Sequence, residues 1–77
     1  MQAEPDDMLD LSGLLCPLPV LKAGKRLKAM APGRTLTVIA TDPMAETDLP
    51  LYCREQGHDF LGCTRDGDTF IFRIRRT

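Results

Sequence analysis

Apolar residues recur along this chain with two different periods. Val20, Ala23, Leu27 and Met30 fall at helical spacing, and the pattern predicts a helix over residues 17–30. Gly24 lies inside it and costs about 1 kcal/mol relative to Ala, so close packing against a sheet is expected there. Ala31-Pro32-Gly33-Arg34 ends the helix. Residues 35–41 alternate, with Leu36, Val38 and Ala40 on one face, and predict a strand; residues 8–11 predict a shorter one. Asp42-Pro43 reads as a cap followed by proline at a first helical position. Pro50 disfavours a long helix, so a loose turn is expected over 43–47 and a helix over 48–56, stopped by Gly57. Leu49, Tyr52 and Cys53 face the core of that helix, with Gln56 at its edge. Residues 59–65 and 69–75 predict two strands joined by the hairpin signal Asp66-Gly67-Asp68. Phe70, Phe72 and Ile74 alternate inward, and Ile71, Arg73 and Arg75 outward. Alternation leaves the face taken by Cys63 open.

The order βαβαββ predicts an α/β (α+β) two-layer sandwich. Right-handed crossovers put two helices on one face of a four-stranded mixed sheet. The other face stays partly open and suits a partner surface. Residues 1–7 read as a polar tail and residues 8–77 as a single domain.

Size and charge narrow the picture. A chain of 77 residues buries only roughly 60% of its unfolded surface, so chemistry should sit on the surface rather than in a deep pocket. No apolar run approaches the ~20 residues of a membrane span. The acidic start, Met1-Gln2-Ala3-Glu4-Pro5-Asp6-Asp7, is not a signal peptide. A cytoplasmic protein without membrane association is expected. The net charge of −1 carries no general nucleic-acid signal. However, no acidic residue lies between Asp10 and Asp42, while Lys22, Lys25 and Arg26 share one side of the predicted helix. Such a face is either a solvated surface or a dock for an acidic protein or RNA. The aromatic residues sit mostly at core positions, so direct nucleic-acid binding is not expected.

Three cysteines without a secretory signal do not make a disulfide framework. There is no Cys-x-x-Cys pair, and His58 lies five residues from each of Cys53 and Cys63, which does not fit zinc spacings. No metal and no cofactor are expected. Cys53 reads as a structural core residue and His58 as a solvated helix end.

The thiol with a chemical context is Cys16, in Cys16-Pro17-Leu18-Pro19. It follows a predicted strand and Ser12-Gly13, and it precedes a helix. A helix N-terminus favours a thiolate over a thiol. Pro17 suits the first helical position and turns Cys16 into the expected cap. Neither proline has an N–H, so Leu18 N–H is expected to be the nearest donor to the sulfur, with Val20 N–H second. These residues point to a reactive thiol of lowered pKa.

Leu9-Asp10, Gly13-Leu14 and Cys16-Pro17-Leu18-Pro19, followed by Pro32-Gly33, Asp42-Pro43, Asp48-Leu49-Pro50 and Cys53, resemble the TusA/SirA family of small sulfur carriers. The resemblance spans residues 8–75. It implies the same two-layer fold and assigns Cys16 as the residue that carries sulfur as a persulfide. Asp10, Gly13, Pro17, Leu18 and Pro19 are implied as its supporting motif. The implied partners are a cysteine desulfurase or other sulfur donor and a downstream acceptor protein; in one branch the sulfur ends in tRNA 2-thiouridine. The protein after which the family is named has an acidic residue where this chain has Leu18, which suggests a less electrostatic partner contact here. Two readings compete with the carrier. One is a partner-binding or regulatory module in which Cys16 is incidental and Lys22, Lys25 and Arg26 dock. The other, resting only on the basic face, is direct RNA binding.

Overall fold

The computed structural model describes residues 7–77. The tail expected over residues 1–7 lies outside the described residues except for Asp7, which is the first residue of a strand. The elements run β1 (Asp7–Leu11), α1 (Leu18–Ala29), β2 (Thr35–Ala40), α2 (Ala45–Gln56), β3 (Asp59–Asp66) and β4 (Thr69–Arg75). The strands form one mixed sheet in the order β1-β2-β4-β3, with β1 parallel to β2 and β4 antiparallel to both its neighbours. This is the predicted βαβαββ sandwich.

Alternation builds its core. Leu36, Val38 and Ala40 of β2 pair with Ile74, Phe72 and Phe70 of β4, and all six are buried on the helix side. Ala23 and Leu27 of α1, Met30 just beyond it, and Leu49 and Cys53 of α2 close over them. Each fully buried Leu, Val, Ile or Phe contributes about 1.5–3 kcal/mol. Val20 and Tyr52, expected in the core, pack at its margin and stay half-exposed. Cys63 pairs with Phe72 on edge strand β3 and is exposed.

The structure corrects three local expectations. First, α1 begins at Leu18, with Pro17 as its N-cap, so Cys16 precedes the cap instead of forming it. Second, α2 begins at Ala45, not Asp48. Asp42 Oδ1 accepts Met44 N–H, and tight-turn bonds from Ala45, Glu46 and Thr47 N–H lead straight into the helix. Pro50 sits inside α2; it removes one donor without ending the helix. Third, Gly24 packs against α2 and not the sheet, since its nearest neighbour is the Tyr52 hydroxyl. Gly57 does end α2 as expected, at φ 82°, with its own N–H and that of His58 directed to the Cys53 carbonyl.

Candidate functional site

Because β1 and β2 are parallel, both deliver their following loops to the same end of the sheet. There the β1–α1 loop, which carries Cys16, meets the β2–α2 loop, which carries Asp42. The two are stitched together by side chains. Gly13 N–H donates to Thr41 Oγ1 at 2.9 Å, and Cys16 N–H donates to Asp42 Oδ2 at 2.6 Å. Asp42 is buried, so its carboxylate serves as an internal acceptor that fixes the Cys16 backbone and, through Met44 N–H, the start of α2. Asp10 closes the turn before the site by accepting the N–H and hydroxyl of Ser12. Those bonds, side chain first, hold its carboxyl below the usual carboxylate range. Gly13 then takes φ 84°, a conformation that favours glycine.

The Cys16 side chain is exposed. Its sulfur does not meet a backbone donor. Leu18 N–H is directed to the Leu15 carbonyl at 2.9 Å, closing a turn around the cis Cys16–Pro17 peptide. Instead Sγ–H donates to Asp48 Oδ2 at 3.1 Å, from the first turn of α2. This bond to a carboxylate comes first among the effects that push the thiol above its ordinary pKa; desolvation and the charges of Asp48 and Asp42 add to it. The expected lowering of the Cys16 pKa by the α1 N-terminus is therefore overturned. The helix starts too late, and neither Leu18 nor Val20 N–H is the sulfur's partner. The resting group is a protonated thiol tethered to a carboxylate, and it differs from Cys53, which burial alone pushes up to about 11.

Cys16 opens onto a groove of about 290 Å³ between α1 and α2, lined by Pro17, Val20, Asp48, Leu51, Tyr52 and Glu55. Leu15, Leu18, Leu21 and Leu51 are all exposed, three of them within five residues of the thiol. Pro19, by contrast, is buried under the first turn of α1. Lys22, Lys25 and Arg26 do share a face, but it belongs to a second groove with Leu9 and Ala29. There Arg26 lies 3.9 Å from Asp7. Among the described residues no three His, Cys, Asp or Glu side chains converge as a metal site, and no helix is long and apolar enough to cross a membrane.

Sequence reasoning missed Asp42 and Asp48 as parts of the site. Both stood out as helix-start residues and as landmarks of the family resemblance, with no role at the thiol. The available signal was the strand order: a right-handed β1-α1-β2 unit sets the residues following the C-terminal ends of β1 and β2 side by side.

Known proteins resemble this chain over nearly its whole length. The family described as Sulfurtransferase TusA matches residues 7–76. The chain is 42% identical over 72 residues to the sulfur carrier protein TusA of Pseudomonas putida F1, covering 94% of this chain and 90% of that protein. It is 41% identical over 75 residues to the protein of the same name from Allochromatium vinosum, covering 97% and 99%. The crystal structure of a SirA-like protein from Desulfitobacterium hafniense superposes with a TM-score of 0.79 at 23% identity, covering 88% of this chain and 93% of that one, and has the same fold.

Proposed function

This chain belongs to the TusA family of sulfur carriers, and on that premise we propose that Cys16 is the residue on which the sulfur travels, as a persulfide. The observation that carries this reading is an exposed thiol held at the open end of the sheet by Asp42 and Asp48. A carrier's sulfur must be reached by two different proteins in turn. A surface site between two helix ends allows that, and the buried Cys53 does not.

The relay takes two displacements. Cys16 attacks the outer sulfur of a persulfide on a donor such as a cysteine desulfurase, and the donor leaves as a thiol. An acceptor thiol on a downstream protein then attacks the outer sulfur on Cys16. Each step exchanges one S–S bond for another through attack by a thiolate. The exposed Leu15, Leu18 and Leu21 around Cys16 give both partners an apolar contact next to the reacting atom. Supply of sulfur for tRNA thiolation in the cytoplasm is one destination compatible with this chemistry.

Incubation with a cysteine desulfurase and cysteine, followed by intact mass measurement, tests the assignment. One added sulfur is expected, removed by a thiol reductant and absent from Cys16→Ser. Undiminished loading of Cys16→Ser would reject Cys16 as the carrier.

A further inference from the structure

We infer that Asp48 is a catalytic residue of the sulfur transfer, receiving the Cys16 thiol proton as the sulfur attacks. The inference rests on the reading of Cys16 as the carrier and adds a proton acceptor to it. Its basis is contact with the reacting atom. Asp48 Oδ2 is 3.1 Å from Sγ, and Asp48 lines the same groove as Cys16. The other carboxylate of the site, Asp42, is buried and takes the Cys16 and Met44 backbone N–H groups, so it holds the loop and is not the thiol's partner. Beside the sulfur, Pro17 and Pro19 have no N–H and Leu18 N–H is held by the Leu15 carbonyl, so the recorded hydrogen-bond partner of Sγ is Asp48.

The step balances without any oxidant or reductant. The Sγ–H bond breaks and its proton passes to Asp48 Oδ2. The electron pair left on Sγ forms a bond to the outer sulfur of the donor persulfide. The donor's S–S bond breaks, and its electron pair leaves with the donor thiolate, which takes a proton from solvent. The sulfane sulfur keeps its oxidation state. Asp48, half-buried at the groove, returns its proton to solvent, and discharge to an acceptor runs the same transfers backwards, restoring Sγ–H at Asp48. The arrangement reconciles a thiol that rests protonated with a nucleophile that must be ionised at the moment of attack. A thiolate of higher pKa is also the stronger nucleophile once formed.

Two measurements on the full chain test this. In Asp48→Asn the thiol loses a carboxylate acceptor and ionises more readily. Alkylation of Cys16 by iodoacetamide should then be several-fold faster than native at pH 7 and slower on the alkaline plateau, so that the two pH profiles cross. Single-turnover loading from a cysteine desulfurase should do the opposite at pH 7 and slow by about a hundredfold or more, the scale of lost acid–base catalysis, about 10²–10⁴. Asp48→Glu, which keeps a carboxylate, should recover part of the loading rate. Loading of Asp48→Asn at or above the native rate would overturn the proposal. Failure of the native protein to load at all would instead reject the carrier reading, while crossed alkylation profiles would still report the Asp48–thiol link.

Discussion

Tyr52 lies across Gly24 so closely that a Cβ at residue 24 would stand 2.6 Å from the Tyr52 hydroxyl oxygen and 2.9 Å from the ring carbon that bears it. The two residues set how closely α1 approaches α2, and Tyr52 is also a wall of the Cys16 groove. In an isolated helix Gly→Ala would stabilise by about 1 kcal/mol. Here overpacking, typically 1–3 kcal/mol, opposes it. Gly24→Ala is expected to lower stability by about 1 kcal/mol in urea unfolding. In a Tyr52→Ala background the same change should become stabilising, and that reversal of sign in a double-mutant cycle isolates the contact.

How much of this was legible beforehand follows from which forces decide each feature. Period-2 and helical spacing located every strand and both helices, because burial of Leu36, Val38, Phe70, Phe72 and Ile74 on one face leaves no competing register. The start of α2 was misplaced because Pro50 argued locally against a helix that tertiary packing of Ala45 and Leu49 sustains. The thiol was found from its prolines and its seam between elements. Its electrostatics were not, because they depend on Asp48, thirty-two residues away, brought there by the crossover. Local sequence described the helix end beside Cys16. It could not describe the carboxylate facing it.

Asp42 is a buried carboxylate with two backbone donors, Cys16 N–H and Met44 N–H. Hydrogen bonds to a charged group contribute about 1.5–3 kcal/mol each, and removing the acceptor leaves both donors unmatched. Asp42→Ala is expected to destabilise the fold by about 2–4 kcal/mol in denaturant unfolding and to loosen the Cys16 loop, seen as faster hydrogen exchange at Cys16 N–H. Asp42→Asn keeps one acceptor oxygen and should lose less.

Asp10 marks the other end of that loop. Its carboxyl titrates below 3.8 because the Ser12 hydroxyl and N–H stabilise the ionised form. In Ser12→Ala the stronger of these, the hydroxyl bond, is gone, and carbon-detected NMR titration should place the Asp10 carboxyl nearer its ordinary value. An unchanged titration would show that the Ser12 hydroxyl does not hold the Asp10 carboxyl down.

Burial of Cys53 gives folding a pH dependence at alkaline pH. Burial holds its thiol neutral up to about 11, against 9.0 for an unperturbed thiol. A folded-state pKa raised above the unfolded one favours folding while the group stays protonated. The contribution is complete below about pH 9, where both states hold the proton, and is lost as pH rises through 11, because only the unfolded chain ionises easily in that window. Native stability should therefore fall between pH 9 and 11. Cys53→Ala will be less stable at every pH because it leaves a cavity, so the level of stability is not informative, but its decline over the same window should be shallower. Thermal unfolding of the two proteins across pH 8–11 measures that difference in slope directly. Parallel curves would mean that the thiol reaches solvent in the folded state. Alkylation gives an independent check, since iodoacetamide at pH 8 should modify the exposed Cys16 and Cys63 and reach Cys53 only after unfolding.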